Sequence, residues 1–419
     1  MIAWRHRSRG TSSCTREVTI VANDVAPIGG MERQLTELVA GILQRGVRVT
    51  VIARRCELPP HPALRFIRVA GPSRPFVVAY PWFFVFASIL TLRHRRGVLH
   101  TTGAIVMNRA EMSTVHHLHH GTHAKRGFVS RSRSSLPYRL NALCAEPLKR
   151  AGERWCYRPA VTGHVVGDSQ GLARELSVHF PLMAAHTSVI PLGVDHGRGD
   201  DSSDQRDAVR ATLTIRAGQH LALFVGGDWE RKGLRLAIEA IAKTPDWHLL
   251  VVGSGDIMTS RRIAAAAGSE ARTHFAGTPS GTAPYYAAAD AFLLPTAYET
   301  FSLVTYEAAA AGLPLLVTRV SGVEDLLVDG KNGWFVERDP AQIADRLDAL
   351  GANADLRRRM GESARRAVQG YSWAAAVDSY YALYASIGKW LASPPSSRTD
   401  ARGSLAPPPI AAAETLTNG

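Results

Sequence analysis

Two adjacent cations follow an apolar strand pattern in the second half of the chain. The predicted strand ends at Val225, glycines occupy positions 226 and 227, and Arg231 and Lys232 come shortly afterwards. Glycine allows a ligand to approach the backbone closely, arginine offers a planar fork to phosphate oxygens, and lysine offers a compact charge. A nucleoside diphosphate gains negative charge as it leaves a sugar, so two fixed cations would stabilise that state. Taken alone, the same residues are also consistent with a solvated turn.

Two glutamates follow the predicted strand 291–294. Glu299 falls in the loop after that strand, and Glu307 lies inside the next predicted helix. Ser302 is placed to cap this helix, whose first N–H groups and positive dipole end favour an anion. A carboxylate further along the helix can accept hydrogen bonds from ribose hydroxyls, while Glu299 would face the transferred sugar. The alternative is that both acids lie on the surface. A fully exposed position is less suitable for Glu307, because its neighbours in the sequence are apolar.

Gly29 and Gly30 open the helix predicted after the first strand. This arrangement suits a close approach to phosphate or to an acceptor. The pattern is not a complete glycine-rich nucleotide fingerprint, and an ordinary turn explains it equally well.

Five histidines occur between positions 116 and 123. Such a cluster invites a metal interpretation, but no carboxylate or cysteine stands nearby at a ligand spacing. A histidine at the end of a strand can instead form a hydrogen bond with a sugar hydroxyl, and a solvated loop is an equally simple alternative. His116 is the first candidate for the sugar contact and His119 the second. No metal site is predicted.

Apolar strands alternate with helices in both halves of the chain. In the first half, strands are predicted at 18–22 and 47–53 with a helix at 31–45. In the second half, strands are predicted at 220–225, 248–252, 274–276, 291–294 and 315–318, with helices at 234–243, 257–267, 283–289 and 303–311. This alternation predicts an α/β fold of two parallel sheets, each covered on both faces. Ligands of such folds bind at the carboxyl ends of the strands, where the predicted site residues lie.

The predicted organisation follows from these elements and from composition. It comprises a basic segment 1–16, an N-terminal domain 17–187, a linker 188–207, a C-terminal domain 208–372, a final helix 373–392 and a tail 393–419. The tail is rich in Pro, Ser and Ala without an apolar period, which predicts disorder.

Charge and apolar runs indicate the kind of partner. The 419 residues carry a net charge of +13, and residues 121–158 hold nine Lys and Arg against two Glu. The hypothesis is a surface for anionic lipid or a phosphorylated acceptor, with a solvated helix face as the alternative. The run 76–92 is short for a membrane span, so a core helix is favoured over an interfacial one. No secretory signal is visible and the four cysteines form no framework, so a cytoplasmic location is predicted, with a peripheral position at the inner face of the plasma membrane as a further hypothesis.

Several motifs together resemble the retaining glycosyltransferase family 4, which has the GT-B architecture. The motifs are E-x7-E at Glu299 and Glu307, the following Ala308–Pro314, Val189–Asp195, Arg231-Lys232-Gly233, Gly253-Ser254-Gly255, Asp329–Gly333 and Tyr371-Ser372-Trp373. The chain departs from the family at Gly226-Gly227, where many relatives carry Gly-Arg, and at Ser302, where many carry glycine. Arg231 would replace the missing arginine.

The resemblance implies two Rossmann-like doubly wound domains facing across a cleft, with a C-terminal helix crossing back to the first domain. It also implies that the domain 17–187 binds the acceptor and that the domain 208–372 binds the nucleotide-sugar. It also implies a role for each matched residue. Glu299, His116 and Lys232 would act at the reacting sugar, while Arg231, Lys232, Glu307, Gly30, Ser302, Leu303 and Val304 would bind the donor.

The reaction implied by the resemblance is transfer of a hexosyl group from a UDP- or GDP-sugar to an acceptor hydroxyl, with retention and without a metal or other cofactor. The acceptor would be a glycan, a lipid-linked or small molecule, or a cell-envelope precursor. Front-face attack is favoured over a covalent intermediate on Glu299. A sugar-nucleotide epimerase is the alternative enzyme. A basic nucleic-acid-binding protein is the other alternative, but no nucleic-acid motif is present and no nucleic-acid partner is predicted.

Overall fold

The computed structural model describes residues 16–26, 30–124, 136–196, 203–279 and 281–388. The predicted basic segment before residue 16, the predicted tail 393–419 and the cations at 125, 126, 131 and 133 lie outside the described residues. The described chain forms two parallel sheets, each with helices on both faces.

The first domain is built on a seven-stranded sheet. The seven strands of this sheet are β1 (Glu17–Val21), β3 (Arg48–Ala53), β5 (Leu64–Arg68), β6 (Val98–Thr102), β7 (Met112–Val115), β8 (Val165–Gly167) and β9 (Thr187–Val189). Two further strands, β2 (Asp24–Val25) and β4 (Arg55–Cys56), form a separate pair. The order in the large sheet is β5-β3-β1-β6-β7-β8-β9, and every pair is parallel. Strand β1 lies between β3 and β6, and its residues 18–21 are all buried, including the polar Thr19.

Five helices of the first domain cover this sheet. They are α1 (Gly30–Gln44), α2 (Phe76–His94), α3 (His119–Ala124), α4 (Leu136–Cys156) and α5 (Gln170–His179). A 3-10 helix, Pro181–His186, follows α5. Helix α1 packs on one face, while α2, α4 and α5 pack on the other.

The second domain contains a six-stranded parallel sheet in the order β12-β11-β10-β13-β14-β15. Its elements are α6 (Ser203–Thr212), β10 (His220–Val225), α7 (Trp229–Lys232), α8 (Leu234–Lys243), β11 (Trp247–Val252), α9 (Ile257–Ala267), β12 (Thr273–Gly277), α10 (Ala283–Ala288), β13 (Ala291–Leu294), α11 (Leu303–Ala310), β14 (Leu315–Val317), β15 (Gly333–Phe335), α12 (Pro340–Ala352), α13 (Ala354–Ala367) and α14 (Trp373–Ile387). The five strands predicted from the sequence are all present, within a few residues at their ends. The region 226–233, predicted as a loop, contains the short helix α7.

The predicted linker is shorter than its sequence suggests. Residues 203–207 belong to α6 because Arg206 and Arg210 both pair with Asp290, at 2.6 and 2.9 Å, and donate to carbonyls at the end of α10. The charged sequence of this segment suggests a solvated linker, because the sequence does not show that Asp290 of the second domain pairs with these arginines.

The helix α14 returns from the second domain to the first. Val194 forms an isolated bridge with Ser372, and α14 then packs along α1. Tyr380 and Tyr384 are fully enclosed in the core of the first domain. The predicted crossing helix is therefore present, and it is described as far as Ile387.

The helix α2 covers the sheet with one face only. Ala79, Phe83 and Ala87 pack against the sheet, but a row of large apolar side chains on the opposite face is exposed. The expectation of a core helix is thus confirmed for the face that packs on the sheet and wrong for the opposite face. The helix is apolar on every side, but no second layer of the protein covers its outer face.

Candidate active site

The two predicted cations and Glu299 form one cluster at the carboxyl ends of β10 and β13. Arg231 Nη1 and Lys232 Nζ both lie 3.0 Å from Glu299 Oε1. Thr296 Oγ1 donates to the same oxygen at 3.2 Å. Arg231 Nε also pairs with Asp228 Oδ2 at 2.8 Å, so two carboxylates hold the two cations in fixed positions from which they can contact an anionic ligand.

The electrostatics of the cluster follow from burial and pairing. Burial by itself would raise the pKa of Glu299, but the charges of Lys232 and Arg231 outweigh it and hold that pKa below its usual value. For Arg231, burial lowers the pKa, but Glu299 and Asp228 leave it raised overall. The carboxylate therefore stays ionised and fixes both cations.

The glycine after β10 positions Lys232 in a way the sequence alone did not indicate. Gly226 has φ +138°, and a Cβ there would lie 2.7 Å from the Cδ and Cε atoms of Lys232. The glycine therefore makes room for the lysine stem, whereas the sequence suggested room for a ligand. The turn is closed by Trp229 Nε1, which donates to the Gly226 carbonyl at 2.8 Å.

The start of α11 differs from the predicted cap. Ser302 precedes the helix with φ +68° in the left-handed region, and its hydroxyl makes no capping bond to the backbone. It instead contacts Thr305 Oγ1 at 2.7 Å. The prediction that Ser302 caps the helix through its side chain is wrong, because a left-handed residue does not direct its side chain as an extended cap does. The N–H groups of Leu303 and Val304 open α11, in the first turn where no intrahelical acceptor exists.

Glu307 lies in α11 and is almost buried. Its Oε2 accepts from Tyr286 OH at 2.9 Å, and Arg33 Nη1 lies 3.5 Å from Oε1. Tyr286 belongs to the second domain and Arg33 to α1 of the first. The carboxylate is thus oriented from both sides of the cleft, and a surface position for Glu307 is ruled out.

Arg33 is a site residue that the sequence interpretation did not single out. It pairs with Asp195 at the end of the interdomain connection, and its guanidinium lies 5.4 Å from the ring centroid of Trp373. Trp373 Nε1 donates to Asp195 Oδ1 at 3.1 Å. The sequence did contain a signal for Arg33: it lies one helical turn after Gly30, at a helix start that was already a candidate for ligand contact.

His116 lies directly after β7 beside a buried acid that was also missed. Its Nδ1 is 3.6 Å from Asp168 Oδ2, while His116 Nε2 and Asp168 Oδ1 are buried without a hydrogen-bond partner. Burial raises the pKa of Asp168, although His116 opposes that effect. Asp168 follows β8, and the unrecognised short strand before it concealed its position at the sheet edge.

Thr300 joins this histidine to the donor-site loop. Its hydroxyl donates to the His116 carbonyl at 2.8 Å, and its own carbonyl accepts from Ser169 Oγ at 2.5 Å. Since Thr300 follows Glu299 directly, these bonds bring His116 and the cluster of Glu299 to the same part of the cleft.

His119 occupies a different kind of position. It begins α3, where its backbone N–H donates to Glu153 Oε1 at 2.7 Å, and its ring packs against that of His117. Burial raises the pKa of Glu153 to about 7, against the lowering effect of the N–H groups of His119 and His120. Within the described part of the chain, no three His, Cys, Asp or Glu side chains group as metal ligands.

Gly30 is the first residue of α1, and residues 27–29 before it lie outside the described residues. Its predicted contact with the donor phosphates stays a prediction.

Two family models match the two halves of the chain. The model described as Glycosyltransferase Family 4 matches residues 28–198, and the model described as Glycosyl transferases group 1 matches residues 205–367. Two doubly wound domains with a returning terminal helix, and charged residues at their facing strand ends, define a GT-B glycosyltransferase. The chain belongs to family 4 of these enzymes.

Similar proteins agree with this placement. A D-inositol 3-phosphate glycosyltransferase of Geodermatophilus obscurus is 27% identical over 92% of this chain and 93% of its own length. A lipopolysaccharide core biosynthesis glycosyltransferase, LpsE of Rhizobium meliloti, is 32% identical over 42% of this chain and 53% of its own length.

Solved structures share the fold. WaaG, a glycosyltransferase involved in lipopolysaccharide biosynthesis, gives a TM-score of 0.73 at 21% identity, covering 88% of this chain and 99% of WaaG. HepE of Anabaena in complex with UDP and glucose gives a TM-score of 0.68 at 16% identity, covering 88% of this chain and all of HepE.

Proposed function

We propose that this glycosyltransferase moves a hexosyl group from a UDP- or GDP-sugar to an acceptor hydroxyl with retention of configuration and without a metal. The observation that carries the proposal is the cluster in which Arg231 and Lys232 share the carboxylate of Glu299 at 3.0 Å. Two cations beside the first turn of α11 provide charge and N–H donors for a diphosphate. Glu299, held by the same cations, is then within reach of the sugar attached to that diphosphate.

Each proposed role has a physical reason. The diphosphate is bound by two cations, by two residues at helix starts and by backbone N–H groups: Arg231, Lys232, Gly30, Ser302 and the backbone of Leu303 and Val304. Glu307 accepts from the ribose hydroxyls, because Tyr286 and Arg33 already hold its carboxylate towards the cleft. His116 and Glu299 contact the transferred sugar from opposite domains.

The proposed reaction takes place on one face of the sugar. The bond between the anomeric carbon and the diphosphate oxygen breaks, and the acceptor oxygen attacks from the side that the diphosphate leaves. The acceptor proton passes to the leaving diphosphate, whose growing charge Lys232 and Arg231 stabilise. Glu299 is paired with two cations, which makes it a poor covalent nucleophile and favours this front-face route.

The proposed acceptor is a glycan, a glycolipid or a cell-envelope precursor, and the proposed location is cytoplasmic, peripheral at the inner face of the plasma membrane. Relatives named for inositol phosphate and for lipopolysaccharide core transfer support a hydroxyl acceptor and leave its identity to experiment. The matched families are both glycosyltransferase families, and they give no support to the epimerase or nucleic-acid alternatives.

The donor is identified by a thermal-shift panel of UDP, GDP, ADP and their sugars in buffer containing EDTA. A bound nucleotide raises the unfolding temperature in proportion to the logarithm of its concentration above Kd. We expect one uridine or guanosine diphosphate to give a saturable shift that EDTA leaves unchanged. No shift with any nucleotide, or a shift only with added Mg²⁺, contradicts the proposal.

A further inference from the structure

The outer face of α2 exposes an apolar stripe that the fold does not cover. We use the term α2 stripe for the exposed residues Val78, Trp82, Val85, Phe86, Ile89 and Leu92. Their spacing of three and four residues places them on one side of the helix. Leu92 is 79% exposed and Ile89 is 51% exposed. Soluble surfaces rarely present a contiguous patch of this kind without a partner.

The opposite side of α2 is fixed to the sheet. Ala79, Phe83 and Ala87 pack against β1, β3 and β6, and the helix connects β5 to β6 as a crossover. Among the described residues, α2 is the one helix long and apolar enough to cross a membrane by length and composition. Its packing on the sheet leaves a single face for any bilayer, which is the geometry of a helix lying in the interface rather than spanning it.

Aromatic rings in the stripe suit a membrane interface. The rings of Trp82 and Phe86 are stacked with centroids 4.3 Å apart. Trp82 Nε1 donates to the Ala70 carbonyl at 2.8 Å, so the polar atom of the indole is satisfied by the protein itself. The exposed part of the ring is therefore apolar and can be buried without leaving a donor unpaired.

Cations stand at both ends of the stripe. Arg74 precedes α2, Arg93 lies in its last turn and Arg96 follows it; all three are exposed. Arg65 on β5 lies 3.5 Å from His94 through Nη2 and the ring nitrogen Nδ1. Arginine at the border of an apolar helix face binds phosphate oxygens while its stem stays in contact with apolar surface.

A second row of arginines lies on the neighbouring helix α4. Helices α2 and α4 pack side by side on the same face of the first sheet, with Lys149 Nζ 4.9 Å from the ring centroid of Phe76. Arg150, Arg154 and Trp155 of α4, with Arg158 just after the helix, line an open groove of about 430 Å³. The Arg158 guanidinium lies 4.4 Å from the Trp155 ring centroid. The groove has the charge and size for a lipid headgroup phosphate.

We propose that the α2 stripe and the arginines of α4 dock this protein on an anionic lipid bilayer. The apolar residues project from a convex helix instead of lining a groove, which suits insertion among acyl chains. A second copy of this chain would bring the same arginines face to face, which disfavours self-association. The inference rests on the proposed function, which places the enzyme at the inner face of the plasma membrane and includes glycolipid acceptors.

The test measures co-sedimentation with vesicles of phosphatidylcholine alone and of phosphatidylcholine with phosphatidylglycerol. The triple variant Val85→Gln, Ile89→Gln, Leu92→Gln removes apolar area without touching a side-chain hydrogen bond. We expect at least about tenfold weaker binding to the anionic vesicles, given the apolar area that three exposed side chains bury. The matched control Leu182→Gln, Met258→Gln, Val328→Gln changes three exposed apolar residues elsewhere and should bind like the wild type.

A charge pair of variants separates the lipid from other occupants. Arg93→Gln, Arg96→Gln should weaken anionic binding by about thirtyfold, since each of the two cations near the surface contributes about 1 kcal/mol. Arg261→Gln, Arg262→Gln in α9 is its control. Equal binding of the stripe variant and the wild type overturns the proposal, as does equal binding to neutral and anionic vesicles. Concentration-dependent dimerisation without lipid that the stripe variant abolishes assigns the face to a second copy instead. The nucleotide thermal shift of the stripe variant should equal that of the wild type, so failed docking is distinguishable from a failed donor assignment.

Discussion

The carboxylate of Glu299 organises the two cations on which the donor assignment depends. Arg231 and Lys232 would repel each other if they were left alone, and Glu299 holds both at 3.0 Å while Asp228 also pairs with Arg231 at 2.8 Å. That arrangement is preorganised, so no side chain has to reorient when a leaving group becomes negative.

Replacing the lysine tests this cluster directly. Lys232→Ala should reduce kcat for sugar transfer by about 10²–10³, the usual effect of losing one preorganised charge contact. Glycosyl transfer is measured with the donor that the thermal-shift panel identifies. The variant should fold, because the deleted group lies at the cleft side of α7.

Arg235→Ala is the matched control for Lys232→Ala. Arg235 is a highly exposed cation in the next helix, paired with Glu239 at 2.7 Å, and its removal should leave kcat unchanged. Wild-type turnover in Lys232→Ala, or an equal loss in both variants, would remove the role given to Lys232.

Asp168 is predicted to position His116. The buried carboxylate faces His116 Nδ1 at 3.6 Å and thereby favours the tautomer with its proton on Nδ1, in which Nε2 is a hydrogen-bond acceptor. Asp168→Asn should lower kcat by about tenfold while nucleotide binding stays unchanged, since one charged contact is lost. A double-mutant cycle provides the check: in a His116→Ala background, Asp168→Asn should have no further effect on kcat. Additive losses would show that Asp168 acts elsewhere.

At the scale of elements, the crossing helix α14 is held by a buried polar network. His100 Nδ1 lies 2.6 Å from Tyr384 OH, and His100 Nε2 lies 2.7 Å from Thr114 Oγ1. Tyr380 OH contacts Thr114 Oγ1 at 3.1 Å and Gln34 Nε2 at 3.0 Å. The network joins α14 to β6, β7 and α1. Each of its residues makes at least one hydrogen bond within it, while Gln34 Oε1 is buried without a partner. Buried hydrogen bonds fix the packing of a helix more specifically than apolar contact alone.

The charge state of His100 predicts a pH dependence of stability. Burial, aided by the nearby His116, lowers the pKa of His100 to about 3. An unfolded histidine titrates near 6.5, so the unfolded chain binds more protons between about pH 3 and pH 6.5, and the free energy of unfolding falls as pH decreases through that window. His100→Gln should reduce the loss between pH 6.5 and pH 5 by about 1–2 kcal/mol in urea unfolding. Tyr384→Phe, which keeps the histidine, should be less stable by about 1 kcal/mol but retain the wild-type pH dependence. An unchanged slope in His100→Gln would show that other groups carry it.

At the scale of the whole molecule, the cleft is bridged by side chains from both domains. Arg33 reaches from α1 to Glu307 and to Asp195, and Arg174 pairs with Glu324 at 2.7 Å at another part of the interface. The first arginine touches the proposed ribose carboxylate, whereas the second lies at the exposed edge of the cleft. Interdomain position alone therefore does not make an arginine part of the site.

This difference gives a paired prediction. Arg33→Met should weaken nucleotide binding by about tenfold, because Glu307 loses the cation that orients it and becomes a poorly compensated buried charge. Arg174→Met should change nucleotide affinity little, since exposed ion pairs contribute about 0–1 kcal/mol. Isothermal titration with the identified nucleoside diphosphate compares the two. Equal losses would assign both arginines to domain closure rather than to the donor site.

Much of the second domain is determined by local sequence. Its strands β10, β11 and β13 are almost entirely apolar because both faces of the sheet are covered, and the sequence alone shows that pattern. The E-x7-E spacing also places Glu299 in a loop and Glu307 in a helix by periodicity alone. The first domain was harder to predict from the sequence, because short strands such as β8 have too few residues to show a period. Asp168, which follows β8, was missed for that reason.

The sequence by itself determined that cations and carboxylates would meet at the strand ends of a two-domain α/β protein. Only the tertiary structure decided which of them touch: that Glu299 holds both cations, that Gly226 makes room for Lys232, and that Arg33 and Asp168 belong to the site. The reason is physical. Periodicity reports whether a residue is buried, but side-chain partners from distant segments are set by how the elements pack. The same holds for α2, whose apolar sequence reads as core although only one of its faces finds a sheet to cover it.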